Sequence, residues 1–504
     1  MDVEQWKQDV REGRLDADRL IELVVALQER LEQANRQLEQ ANRRIEELEK
    51  KLGGPPTPKI TQPFSLRAEE QRQIARGKKR RKRNKPARRG RLTTADKLAL
   101  AARTEKVFPA GVPEQDCWLS HTRPVWRLEN GQAVLVAYEV YRSGRNQFGK
   151  IPGTLGRSEF GLEFIVAIAY QVYLVGLSFD KVCLLLNFFQ SLRLRKSQVD
   201  ALLNQLARHW EGEFDLLCTL LANSAVVHAD ETGWSLRSVW AFLSEKVRLV
   251  FFGVHKDAPT LRAILDPDTF AGLVISDDAA VYANFTHAQK CWAHLLRKAI
   301  KLTLQAPDNA EYRTFADRLL KIYRAACRVQ RDGRLGDAGR ARKVAGLDDE
   351  ILDLCGAHWF ANLPPSEGLE NDYRLLTSEL MRLMLARQLF TFVTAAPVAA
   401  PQGDPQPVAG TNNEAERTLR SAAQARKTGR TSKTLRGARR QTILSSVLES
   451  LRQQLPKFTL ASVIDEVLRW SAVGRSCFAE LLGQLHLKPP NRSVLDELLP
   501  LPAR

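Results

Sequence analysis

Between residues 15 and 52 apolar side chains recur at alternating steps of three and four: Ala17, Leu20, Val24, Leu27, Leu31, Ala34, Leu38, Ala41, Ile45, Leu48 and Leu52. That spacing is a heptad seam, and the positions around it are mostly Glu, Gln, Arg and Lys. The strings LEQANRQ, LEQANRR and IEELEKK nearly repeat one another. So narrow an apolar stripe is marginal as a lone helix and calls for a partner helix. The expectation is a coiled coil through which copies of the chain associate, with the number of strands left open. Gly53, Gly54, Pro55 and Pro56 end it.

The pattern then changes several times. Ala133 to Val140 reads as a strand, with turn signals at Asn130-Gly131 and Ser143-Gly144, so residues 93–152 are expected to be mostly β. The longest apolar stretch, Phe160 to Leu177, contains Glu163 and Gln171, which predicts a buried helix and not a membrane span. Ser178–Asn187 and Arg195–Trp210 are two helical patterns joined by a polar turn, either a helix-turn-helix or two helices of a plain bundle. Ser224–Ala229, Ser238–Leu243, Arg248–Val254 and Gly272–Ser276 read as strands, and Ala258–Leu265 as a helix between the last two. That succession predicts an α/β core with Asp230 and Asp277 at the ends of its first and fourth strands. Residues 295–390 are helical and charged, and Ala395–Gly410 is a Pro-rich loop. Asn412–Arg426 is a helix capped by Thr411 or Asn412, and the last 60 residues are again helical.

Charge changes the picture of what this core meets. The 504 residues carry 76 Lys and Arg against 58 Asp and Glu, a net charge of +18, which points to a polyanion, nucleic acid before membrane. Much of the excess sits in one run: Lys78, Lys79, Arg80, Arg81, Lys82, Arg83, Lys85, Arg88, Arg89 and Arg91. At that density self-repulsion keeps a segment unfolded until an anion neutralises it. A second basic stretch, Arg417, Arg420, Arg426, Lys427, Arg430, Lys433, Arg436, Arg439 and Arg440, follows the Asn412 helix start and is expected to touch DNA backbone. The seven Cys form no CxxC pair, which excludes a disulfide framework and fits a reducing cytoplasm. Met1 to Gln8 is polar and no apolar core follows, so no secretory leader is expected.

Strand ends of an open α/β sheet line a shared crevice, so Asp230 and Asp277 can converge although 47 residues separate them. Ionised carboxylates ~4 Å apart repel by about 4 kcal/mol at an effective dielectric of 20. A cluster of acids is therefore a metal site or a set of shifted acids. Hard oxygen donors favour Mg²⁺ or Mn²⁺, and two such ions about 3.5–4 Å apart suit phosphodiester chemistry.

The strings HADETGW (His228–Trp234), ISDDAAVY (Ile275–Tyr282), KCWAHLLRK (Lys290–Lys298) and TNNEAERTLR (Thr411–Arg420) are similar in order and spacing to the motifs of the insertion sequence 66 family of transposases. The resemblance runs from about residue 155 to about 450. It implies a DDE-type enzyme with an α/β ribonuclease H-like core interrupted by a large helical insertion, preceded by an N-terminal coiled coil and flanked by mostly α-helical domains. The corresponding division is 1–52 coiled coil, 53–92 basic linker, 93–152 β-rich module and 153–222 helical. The catalytic domain would span 223–450 with its insertion at about 300–409, and 451–504 would be a helical C-terminal region. By resemblance the catalytic and metal-binding acids are Asp230, Asp277 (with Asp278 beside it leaving one position of ambiguity) and Glu416. Glu414 lies about 200° round the helix from Glu416 and is set aside, and Glu231 is expected to point away from Asp230. The implied cofactor is two Mg²⁺ or Mn²⁺ ions per site. The implied partners are double-stranded DNA at element ends and target, with accessory proteins of the same element left open. The implied place is the cytoplasm, at the nucleoid when bound to DNA. The rival readings are an inactive or domesticated DNA-binding derivative and a metal-dependent nuclease.

Cys291 and His294 stand at i and i+3, with His287 four residues earlier, so one helical face would offer three ligands. The CxxH string is similar to a structural motif of several transposase families. No fourth ligand is evident, and zinc is not expected there. Relatives commonly carry a Cys-rich segment before the central domain, where this chain has only Cys117 and His121, too few for a zinc site. Trp234 and Trp292 flank the acids, and core packing is favoured over base stacking for both.

Overall fold

The structure is a computed structural model and describes residues 92–144, 146–360, 366–399 and 404–501. The heptad segment 15–52 and the basic run Lys78–Arg91, with Lys78, Lys79, Arg80, Arg81, Lys82 and Arg83 among its members, lie outside the described residues.

A short helix, α1 (Thr94–Ala99), is closed by a capping box between Thr93 and Asp96. Behind it β1 (Arg103–Val107), β2 (Trp118–Glu129), β3 (Gln132–Ser143) and β4 (Gln147–Phe148) form a sheet in the order β1-β3-β2, with β4 also on β3. The β2–β3 turn is Asn130-Gly131, with φ of 48° and 77°, the two positive values a tight hairpin turn demands. Val125, Val136, Tyr138, Val140 and Ile151 give this sheet a small core of its own.

Three helices follow: α2 (Leu162–Tyr173), α3 (Phe179–Gln190) and α4 (Lys196–Ala222). Glu163, the acid inside the longest apolar stretch, is buried on α2. It pairs with Arg127 at 2.9 Å and accepts the Leu128 N–H at 3.2 Å. Helix α4 buries Val199, Leu202, Leu206, Trp210, Phe214, Leu217 and Leu221 at steps of three and four. It is a core helix along its whole length, and Phe214 meets Phe251 of the second sheet edge to face.

The second sheet contains β5 (Val226–Gly233), β6 (Ser238–Ser244), β7 (Arg248–Val254), β8 (Leu273–Ser276) and β9 (Ala288–Lys290), with α5 (Ala258–Ile264) crossing between β7 and β8. Its order is β7-β6-β5-β8-β9. β5, β6 and β7 run antiparallel, while β8 lies parallel to β5 and β9 parallel to β8. β5 pairs with β6 as far as Gly233 but with β8 only from Val226 to His228. Beyond His228 the two parallel strands part, and Asp230 lies two residues past the last pair. The sequence placed the end of this strand at Asp230; the antiparallel partner carries it three residues further.

A helical segment leaves the sheet after β9: α6 (Trp292–Gln305), α7 (Ala310–Arg331), α8 (Asp337–Phe360), α9 (Gly368–Leu385) and α10 (Thr391–Thr394). Its apolar faces share one core with Val226, Leu273 and Ile275 of the sheet. The chain then returns through α11 (Asn413–Lys427) and α12 (Leu435–Gln454), and ends in α13 (Leu460–Val473), α14 (Cys477–Gln484) and α15 (Val494–Leu498). Among the described residues no helix is long and apolar enough to cross a membrane.

Helix α12 seals the sheet's β7 edge. Thr442, Ser446 and Ser450 stand four residues apart on one face. Their hydroxyls accept the outward N–H groups of Phe252 at 2.9 Å, Val250 at 3.0 Å and Arg248 at 3.0 Å. Three donors that an edge strand would leave open are thus matched one by one. The helix lies this close because Gly253, at φ 77°, has no side chain. A Cβ there would stand 2.9 Å from the Ala438 methyl.

Candidate active site

Three segments far apart in sequence meet where β5 and β8 diverge. Asp230 is supplied by β5, Asp277 by the residue after β8, and Glu416 by the first turn of α11. Asn412, fully buried at the start of α11, fixes that helix to the sheet. Its Nδ2 donates to Ala229 O at 2.7 Å and its backbone N–H points at Cys291 Sγ, 3.1 Å away.

Burial pushes the Asp230 carboxyl up to about 7, and the charges of Glu231, Asp277 and Glu416 add to the rise. These carboxylates therefore share one field in a poorly hydrated place. Asp277 Oδ1 accepts the Ala279 N–H at 3.1 Å, which closes the turn after β8. Asp278 turns to Arg382 of α9, which donates to it. The two neighbours thus have different partners, and Asp277 is the one whose charge bears on Asp230.

Glu231 is buried. Its carboxylate accepts the Tyr282 hydroxyl at 2.5 Å and pairs with Lys256 at 2.7 Å. The Lys256 ammonium is held above its ordinary range mainly by that bond, with Asp277 and Asp230 adding to it. Lys290, on β9, is buried beside Asp277. It donates to Asp277 O at 3.1 Å and to Ser276 Oγ at 3.3 Å, and burial pulls its ammonium down. Sequence reasoning assigned no role to Lys256, Tyr282 or Lys290, and offered Asn412 only as a cap of its helix, where it is the N-cap. Tyr282 and Lys290 close and open two of the strings singled out above, and their positions in those strings were the available signal.

The two acids of α11 separate. Glu414 is bonded by Arg248, at the start of β7. Glu416 accepts from Arg297 of α6 at 2.6 Å. Cys291 is the N-cap of α6 and His294 lies in its first turn, but His287 precedes β9 and is not on the helix. The three-ligand helical face expected from the spacing does not form. Instead the third member comes from α11. The ligand atoms of Cys291, His294 and Glu416 all lie within 4.8 Å of one another, and among the described residues this is the group of three that meets that test.

Of the second basic stretch, Arg417, Arg420, Arg426, Lys427, Arg430, Lys433 and Arg436 are exposed. Arg426 donates to Gly233 O at 2.5 Å, close to the end of β5, and Arg430 to Gly176 O. Arg439 and Arg440 are buried and structural. Glu211 and Asp496 hold the first, and Asp200 and Tyr173 the second. Trp234 and Trp292 are also core residues. The Trp292 indole donates to Leu389 O at 2.7 Å and stacks on Tyr323.

No curated protein matches the chain. Residues 157–440 match the family model described as transposase IS66 family, a span that takes in the second sheet, the helical segment, the acids and most of the exposed arginines. The chain belongs to the IS66 family of transposases.

Proposed function

We propose that this transposase is a DDE enzyme. In that reading Asp230, Asp277 and Glu416 are the catalytic acids of a ribonuclease H-like core, and they direct cleavage at the ends of an insertion sequence and strand transfer into target DNA. The observation that carries the reading is the shared field at Asp230. Burial holds the Asp230 proton on to about 7, and the charges of Glu231, Asp277 and Glu416 add to that rise. Such a cluster has an unmet demand for positive charge, and all its donors are hard oxygens, which fits Mg²⁺ or Mn²⁺. Asp230 and Asp277 with Glu416 would hold two such ions. When bound, these supply Lewis acidity and an activated water or 3′-hydroxyl for attack on a phosphodiester.

The chain's own groups do the positioning. Lys256 and Tyr282 hold Glu231 in place, so that its charge presses on Asp230 without competing for the same position. Asn412 sets the start of α11 against β5 and thereby places Glu416. Arg417, Arg420, Arg426 and Lys427 are exposed along α11, the helix that carries Glu416, and Arg430 is exposed just beyond it. There they would hold the phosphate backbone without reading bases. The basic run Lys78–Arg91 would add sequence-independent affinity, and the heptad segment 15–52 would associate copies of the chain so that element ends are held together.

The test is cleavage of a duplex carrying the element's end by the full chain in Mg²⁺. Asp230→Asn, Asp277→Asn and Glu416→Gln should each lose nicking and strand transfer while binding the duplex nearly as well as the parent. Wild-type cleavage in excess chelator, or undiminished cleavage by Asp230→Asn, overturns the assignment.

A further inference from the structure

The trio Cys291, His294 and Glu416 has a different chemistry from the acids beside it. Cys291 is buried, and its sulfur sits where backbone N–H groups converge: Asn412 N at 3.1 Å, and the N–H groups of Ala293 and His294 at the start of α6. Burial pushes the Cys291 thiol up and these N–H groups oppose that rise; an ion bound there would displace the proton to give the thiolate. His294 Nδ1 is buried with no hydrogen-bond partner. It lies 3.6 Å from Glu416 Oε1, too far for a hydrogen bond. That separation matches the distance of about 3.3–3.8 Å between donors on a tetrahedral zinc with bonds of ~2.0–2.3 Å. Glu416 Oε1 also accepts from Arg297 at 2.6 Å. Cys291 and His294 line a cavity of about 580 Å³ together with Asp277, Lys290, Glu379 and Arg382, which gives an ion a way in.

We propose that Cys291, His294 and Glu416 form a second cation site, selective for zinc-like ions, in which the protein supplies three ligands and the fourth faces the cavity. One thiolate, one imidazole and one carboxylate are a borderline-soft set that suits Zn²⁺ or Co²⁺ and disfavours Mg²⁺. An ion held there withdraws Glu416 from Asp230 and Asp277. That consequence rests on the proposed function, whereas the site itself does not.

Co²⁺ titration of the full chain in buffer containing excess Mg²⁺ tests the site. The expected result is a thiolate-to-cobalt charge-transfer absorption that saturates near one ion per chain and is displaced by Zn²⁺. Cys291→Ser should abolish the band and Cys117→Ser should leave it. Because Cys291 is buried and its variant could unfold, His294→Ala and Glu416→Gln, at half-exposed positions, provide an independent reading. Each should weaken Co²⁺ binding tenfold or more. Absence of the band in the wild type, its persistence in a folded Cys291→Ser, or unchanged affinity in both other variants overturns the proposal. The band depends on sulfur ligation alone, so it reads the site even in a chain that cleaves no DNA.

Discussion

The β7 edge of the second sheet and the mouth between its central strands β5 and β8 handle polar groups in opposite ways. Along the β7 edge each outward N–H at Arg248, Val250 and Phe252 has its own hydroxyl from α12. At the mouth between β5 and β8, Asp230 faces like charges while poorly hydrated, and burial holds its proton on to about 7. An edge left open would recruit other strands, so matching it stabilises the monomeric fold. A mouth left unmatched opposes stability and is kept only where something else supplies the missing charge. The contrast is independent of any motif, and it agrees with the function proposed for the mouth.

The strongest challenge to that contrast is Asp230→Asn. If the crowding serves cleavage, the amide should lower the rate by three orders of magnitude or more, about 4 kcal/mol of transition-state stabilisation. Single-turnover nicking of an element-end duplex in Mg²⁺ measures it. A loss below tenfold would make the crowding incidental.

How much of this was legible in the sequence differs between the same two regions. The strands of the second sheet on both sides of the mouth were readable because each is a short apolar run bounded by turns: β6, β7 and β8 lie within a residue or so of where the pattern put them, and β5 runs three residues further. β9 was not, because three residues carry no periodicity. The edge ladder was invisible: Thr442, Ser446 and Ser450 look like an ordinary polar helix face until β7 is set beside it. The same limit misread Arg439 and Arg440. They continue a basic run in sequence, but their acids, Glu211, Asp496 and Asp200, come from other elements. It also misled the reading of His287, since local spacing suggested a helical face where the helix begins only at Trp292. Glu416 joins Cys291 and His294 from another helix, and no spacing rule reaches across the segment between them.

The same Asp230→Asn change should do the opposite to stability. A carboxyl raised to about 7 in the folded state, against ~3.9 unfolded, leaves the native chain holding a proton that the unfolded chain has released. Between about pH 4 and pH 7 stability therefore falls as pH rises, and above pH 7 the full penalty remains. In chelator at pH 8 the Asn variant should be more stable than the parent by roughly 2 kcal/mol, and the gain should vanish near pH 4. Denaturant melts at both pH values check it. Mg²⁺ should narrow the gap by stabilising the parent alone. An Asn variant equal to or weaker than the parent at pH 8 would mean the mouth is not under electrostatic stress.

At the β7 edge Ser446→Ala should act on stability alone, with the opposite sign. It orphans the buried Val250 N–H, for a loss of about 1–2 kcal/mol at any pH in that range, and leaves cleavage as it was. A neutral result would show that water replaces the hydroxyl and that the edge is not tightly sealed. A drop in cleavage beyond the change in folded fraction would tie the edge to the mouth.

The smallest effect separates two acids two residues apart. Glu414 pairs with Arg248 at the foot of the sealed edge, while Glu416 faces the mouth. Glu414 is about half exposed and its pair is open to solvent, so Glu414→Gln should shift stability by less than about 1 kcal/mol and leave the nicking rate within twofold. Glu416→Gln should lose nicking while melting no lower than Glu414→Gln, because removing a charge from the crowded mouth relieves Asp230 as well. The decisive reading is the pair of variants side by side. If Glu414→Gln lost cleavage and Glu416→Gln kept it, the third acid would be Glu414, and α11 would have to rotate on DNA binding to bring it from the edge into the mouth.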